Sequence, residues 1–119
     1  MCGISGFYNC NLSPDNKTNI LRHMLTRIKH RGPDESGIYL AKKVGLGSVR
    51  LSIVDLETGT MPLSNTDESL WIVFNGEIFN HIELREELLA KNHTFKTQSD
   101  TEVIVHLYEE YGPKFLNKL

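Results

Sequence analysis

The sequence predicts a single domain that mixes short strands with amphipathic helices. Its apolar runs are of strand length, cut by glycine and bounded by turn formers. The segments between them carry helical apolar spacing or capping signals, and no repeat, low-complexity tract or linker divides the 119 residues. Residues 2–8 are short, apolar and glycine-interrupted, and read as a strand followed by a loop through Ser13-Pro14-Asp15. Residues 18–29 place Ile20, Leu21, Met24, Leu25 and Ile28 on one helical face, ending near His30 ahead of Gly32-Pro33. Strands are predicted over 37–41 and 44–50, joined by the basic turn Lys42-Lys43.

A long loop, 51–68, follows with Gly59 and Pro62, a length that in compact domains usually accompanies function or mobility. The continuous apolar run from Leu70 to Phe74 reads as a fully buried strand, leading straight into the turn signal Asn75-Gly76. Two helices close the chain. Asn80 with Glu83 resembles a capping box ahead of residues 82–91, and Ser99 with Glu102 forms a cleaner one. Behind Ser99, Ile104, Leu107, Tyr108 and Tyr111 share one face, which reads Tyr108 and Tyr111 as core, and Gly112-Pro113 stops the helix.

Composition excludes several classes of function. A chain that is 39% hydrophobic and 24% charged has a globular balance and not a disordered one. A net charge of -2 gives no sign of a polyanion partner, since a nucleic-acid domain normally carries a basic face. No apolar run approaches the roughly 20 residues that span a bilayer, and the start lacks the features of a signal peptide. Cys2 and Cys10 are too few for a disulfide framework. The expectation is a soluble, cytoplasmic protein with no membrane or nucleic-acid partner.

Four positions carry candidate chemistry. If Met1 is removed, Cys2 holds a thiol and a free α-amine on one residue. A thiol near neutral pH is mostly protonated and gains from an adjacent base; a lysine amine is almost wholly protonated there, whereas an α-amine is substantially free. An N-terminal cysteine therefore brings its own general base, although a small residue at a strand start is the plainer reading. Asn75-Gly76 can present a side-chain amide and a backbone N–H at one point, as a tetrahedral oxyanion requires, or be a simple turn. Arg50, at a strand end, suits a carboxylate by its two parallel donors, or is a solvated cation. Asp100 can receive an ammonium group, or merely complement a helix dipole. Together Arg50 and Asp100 could clamp both ends of an α-amino acid. His23, His30, His81, His93 and His106 show no paired metal-ligand spacing and no CxxC is present, so no metal site is expected.

Five blocks occur in order: Cys2-Gly3-Ile4, His30-Arg31-Gly32-Pro33-Asp34, Arg50-Leu51-Ser52-Ile53-Val54-Asp55-Leu56, Asn75-Gly76-Glu77-Ile78-Phe79-Asn80 and Ser99-Asp100-Thr101-Glu102. With them the chain resembles the N-terminal, class II glutamine amidotransferase domain of glutamine-hydrolysing asparagine synthetases. The resemblance implies an α+β fold, the N-terminal-nucleophile hydrolase αββα sandwich, of which residues 1–119 would be an incomplete N-terminal portion. It implies glutamine hydrolysis through a thioester, with Cys2 as nucleophile and its α-amine as base. Asn75 and the Gly76 N–H would form the oxyanion hole, Arg50 would hold the α-carboxylate and Asp100 the α-ammonium. Groups around Leu51, Ile53, Val54 and Glu77 would complete the glutamine pocket. No cofactor is expected in this chain; ATP and Mg would belong to a C-terminal synthetase domain that uses the ammonia to make asparagine from aspartate.

The chain departs from that family at Ser48-Val49, where basic residues are common, and at Met61, where Gln is common. A partial sandwich would leave apolar surface uncovered, so self-association is expected. Two other readings stand beside the first: a glutaminase serving a different carboxylate acceptor, and a non-catalytic fragment or interaction domain with Cys2 idle.

Overall fold

The computed structural model describes residues 2–51 and 59–119, and within them the chain is an α+β structure. Strand β1 (Gly3–Tyr8) leads to helix α1 (Pro14–Ile28), which begins four residues earlier than its apolar spacing predicts. The reason lies in Ser13-Pro14-Asp15. Ser13 is the N-cap, its hydroxyl accepting from the Asn16 N–H, and Pro14 takes the first helical position, where no N–H is needed. What reads as a turn is a helix start.

Strands β2 (Glu35–Leu40) and β3 (Val44–Arg50) complete a three-stranded antiparallel sheet in the order β1-β3-β2. Gly3 pairs with Val49 and Tyr8 with Val44 on one side of β3; Glu35 pairs with Arg50 and Leu40 with Gly45 on the other. Helix α1 covers one face of this sheet through Leu21 and Leu25, both buried. Gly47 makes that approach possible, because a Cβ there would stand 3.0–3.2 Å from their methyl groups. Ile20, expected on the same face, is instead exposed, so the buried stripe is narrower than the spacing suggests.

The opposite face meets a second, two-stranded sheet. The predicted loop 51–68 contains β4 (Leu63–Ser64), which pairs antiparallel with β5 (Trp71–Ile72). Buried Asn65 organises the turn between them, its Oδ1 accepting from the Leu70 N–H at 2.9 Å and its amide donating to Ser69. The run from Leu70 to Phe74 is strand only at Trp71 and Ile72, and is half-buried where full burial was expected. It is apolar throughout because its sides meet different layers. Trp71 stacks on Tyr39 of β2 with centroids 4.1 Å apart, while Ile72 and Phe74 pack against the helical core.

That core joins Ile78 to Leu84 and Leu88 of α2 (His81–Ala90) and to Val103, Ile104 and Leu107 of α3 (Asp100–Tyr111). The layers therefore run α1, three-stranded sheet, two-stranded sheet, α2 with α3. Neither capping box closes as predicted. The Asn80 side chain donates to the Lys118 carbonyl and does not cap α2. Ser99 does cap α3, accepting from the Thr101 N–H, but the Glu102 carboxylate reaches back past it to Lys96 and Thr97. Every residue from Thr101 to Leu107 is buried, whereas Tyr108, expected in the core, is 42% exposed. Gly112, at φ +57°, ends α3 and turns the chain into a short 3-10 segment, whose Phe115 packs back on the core. Among the described residues no helix is long and apolar enough to cross a membrane.

Candidate active site

The ends of the two sheets and the start of α3 enclose a cavity of about 620 Å³. Cys2, Arg50, Leu51, Asn75, Gly76, Glu77 and Asp100 all line it. Ile53 and Val54, also expected in the glutamine pocket, lie outside the described residues, as does Met1. A second depression of about 520 Å³ between α1 and β2 contains none of these side chains.

Each residue is placed by its own element. Cys2 precedes β1, half-buried, and its carbonyl accepts from Arg31 Nε at 3.1 Å. Arg31 belongs to the His30–Asp34 block, which runs alongside the end of β3. Pro33 bridges to Arg50, the Asp34 N–H donates to the Arg50 carbonyl at 3.1 Å, and Gly32 is buried against the Val49–Arg50 backbone. A Cβ at Gly32 would fall 2.5 Å from Arg50 N, so only glycine lets the block lie this close. The segment thus ties the position of Cys2 to that of Arg50.

Arg50 is 8% exposed, and its Nη1 stands 3.3 Å from Glu35 Oε2, which also accepts from the Thr60 hydroxyl. The carboxylate holds the guanidinium at the cavity wall. Gly59, buried at φ +99°, sits between Arg50 and Ser99. Asn75 and Gly76 are exposed at the cavity mouth after β5, and the Phe74 ring packs so closely beneath Gly76 that a Cβ would meet it at 2.6 Å. The Asp100 Oδ2 accepts from the Ile78 N–H at 2.9 Å, joining the first turn of α3 to the segment that carries Asn75, Gly76 and Glu77. Asp100 is half-buried, leaving carboxylate surface toward the cavity.

Behind α3 a network fixes this corner. Arg85 donates to the Thr97 and Ser99 carbonyls at 2.9 Å each and stacks on Phe95. Burial pushes the Glu102 carboxyl up, but the neighbouring His106 ring and the hydrogen bonds from Lys96 and Thr97 outweigh it and bring the pKa down from 4.5 to about 2. Sequence reasoning assigned no role to Arg31, Glu35, Phe74 or Arg85. Only Arg31 lies within one of the five blocks; the Arg50 partner of Glu35 and the Thr97 and Ser99 partners of Arg85 are 12 to 15 residues away, and Phe74, two residues before Gly76, reads only as part of an apolar run. The two departures from the family pattern also meet, the Ser48 hydroxyl donating to the Met61 carbonyl at 3.1 Å. Ser48 is 1% exposed, so a cation there would need a buried partner.

A thiol near the start of the chain, a turn with a side-chain amide and a backbone N–H, and an arginine and an aspartate around one cavity form a constellation suited to amide hydrolysis on an amino acid. The chain belongs to the glutamine amidotransferase domain family, whose description matches residues 1–119. Among curated relatives it is 47% identical to the glutamine-hydrolysing asparagine synthetase 1 of Bacillus subtilis, over all of this chain and 19% of that protein. It is 44% identical to asparagine synthetase 1 of Arabidopsis thaliana and 45% to a probable asparagine synthetase of Dictyostelium discoideum, covering 20% and 22% of them. The chain thus spans about a fifth of the length of the curated relatives it matches.

Proposed function

We propose that this chain is the glutamine-hydrolysing part of an asparagine synthetase, converting glutamine to glutamate and ammonia through a Cys2 thioester. The observation that carries the proposal is the single cavity lined by Cys2, Arg50, Asn75, Gly76 and Asp100, which come from four separate segments. With Met1 removed, the α-amine takes the thiol proton and the thiolate attacks the side-chain amide carbon of glutamine. The oxygen, now negative, is stabilised by the Asn75 amide and the Gly76 N–H. Collapse expels ammonia, which carries away the proton held by the α-amine; water then hydrolyses the thioester to release glutamate. Arg50 receives the α-carboxylate, sharing its donors with Glu35, and the open side of Asp100 receives the α-ammonium. Leu51, Ile53, Val54 and Glu77 complete the pocket.

The succession of layers supports the N-terminal-nucleophile αββα reading, with residues 1–119 as a partial class II amidotransferase domain. In the longer protein the ammonia would pass to a synthetase domain that holds ATP and Mg and activates aspartate, in the cytoplasm. This chain itself would need no cofactor for the glutaminase step.

Intact-mass measurement after exposure to a glutamine-mimicking electrophile tests the mechanism. We expect loss of Met1 and a single adduct that disappears in Cys2→Ala, with excess glutamine slowing its formation. A retained Met1, or an adduct that survives Cys2→Ala, would overturn it.

A further inference from the structure

Away from this cavity, His93, in the connection after α2, meets His106 and Glu109 of α3. The three ligand atoms form a small triangle. His93 Nδ1 and His106 Nδ1 are 3.3 Å apart, His106 Nδ1 is 3.3 Å from Glu109 Oε2, and His93 Nδ1 is 3.7 Å from the same oxygen. Ligands about 2.0–2.1 Å from a tetrahedral zinc ion lie roughly 3.3–3.4 Å from one another, so these edges enclose a point at metal-bonding distance from all three atoms. The ring nitrogens that face away are backed by carboxylates. Glu110 Oε2 stands 2.9 Å from His93 Nε2, and Glu102 Oε1 stands 3.6 Å from His106 Nε2. The latter nitrogen is fully buried and makes no hydrogen bond within ordinary distance.

We infer that His93, His106 and Glu109 form a binding site for a divalent ion of the zinc class. The donor set is the argument: two imidazoles with one carboxylate suit zinc and its transition-metal neighbours, not magnesium or calcium, which prefer all-oxygen shells. Each neutral imidazole would keep its one proton on Nε2, facing Glu110 or Glu102, and present the Nδ1 lone pair to the ion. Carboxylates in that position orient metal-binding histidines and raise their basicity. His106 is 1% exposed and held by packing, with Phe95 edge-on at 4.7 Å, so half of the site is already rigid. The ion would pin the α2–α3 connection to α3. The inference does not depend on the glutaminase reading, since none of the three residues lines the cavity that holds Cys2.

Titration of the chelator-stripped full chain with Zn²⁺ against a chromogenic indicator tests it, with Co²⁺ absorption as a second readout. We expect one ion per chain, a rise in melting temperature on binding, and a four-coordinate Co²⁺ spectrum. His93→Asn, at a half-buried position, and Glu109→Gln, at an exposed one, should weaken binding at least about 30-fold, and Glu110→Gln about 10-fold or more. Their circular dichroism should match the parent. If folded His93→Asn and Glu109→Gln bind Zn²⁺ as tightly as the parent, or the parent binds no ion, the cluster is a hydrogen-bonded network only and the inference fails.

Discussion

Glu102 shows how one side chain can hold a site it never touches. Its carboxylate accepts from the Lys96 and Thr97 N–H groups at 2.7 Å each and from the Thr97 hydroxyl, fixing the turn ahead of Ser99 and Asp100. An unfolded glutamate titrates near 4.5 and the folded one at about 2, so the carboxylate adds stability above pH 4.5 that is lost as pH falls toward 2. The gap corresponds to about 3 kcal/mol at neutral pH and about half of that by pH 3. We expect Glu102→Gln to lose about 2 kcal/mol at pH 7 and about 1 kcal/mol or less at pH 3, measured by urea denaturation at both values. A loss of equal size at the two pH values would show that the charge contributes nothing. In the sequence this residue reads as the second half of a capping box, since Ser-x-x-Glu is all that local spacing reveals. Its true partners lie on the other side of the cap. The motif residues Cys2, Arg50, Asn75, Gly76 and Asp100 were legible because they stand in contiguous blocks. Glu35 and Arg31 act on partners 15 and 29 residues away, which no local pattern records.

Elements bounded by strong signals appear in the sequence, and those built by contact do not. Strand β3 falls where it is predicted after the Lys42-Lys43 turn, and α3 starts at the residue after the predicted cap. Strands β4 and β5 have two residues each, below any periodic signal, and exist because the three-stranded sheet and α3 cover them from both sides. Two glycines mark these contacts and differ in a measurable way. A Cβ at Gly47 would press on the ends of Leu21 and Leu25, which can shift; a Cβ at Gly37 would fall 2.0 Å from the Met61 carbonyl oxygen, which is backbone. We expect Gly47→Ala to cost about 1–2 kcal/mol and Gly37→Ala about 3 kcal/mol or more, because overpacking costs most where nothing can yield. Chemical denaturation of the two variants decides this, and equal losses would mean that the Met61 segment moves as freely as a side chain.

The candidate site draws on both sheets and on α3, so its geometry depends on how firmly the layers hold together. Cys2 and Arg50 ride on the three-stranded sheet, Asn75 and Gly76 follow β5, and Asp100 begins α3. Among the described residues, contacts that join the two sheets and their flanking segments include the stack of Tyr39 on Trp71, the bonds from Ser48 to the Met61 carbonyl and from Thr60 to Glu35, and the close approach at Gly37. The stack is made by two side chains, and neither lines the cavity. Removing the ring in Tyr39→Ala should cost about 2 kcal/mol, part from the stacked pair and part from lost apolar contact. The more telling readout is the Ile78 amide, whose bond to Asp100 spans the segment after β5 and the start of α3. If the stack holds β5 in place, hydrogen exchange at Ile78 should speed up in Tyr39→Ala by more than the global loss of stability explains, and return to the parent rate in Tyr39→Phe, which keeps the ring. Exchange that follows global stability alone in both variants would mean that β5 and α3 keep their arrangement without the first sheet. The cavity would then be held together from the helical side only.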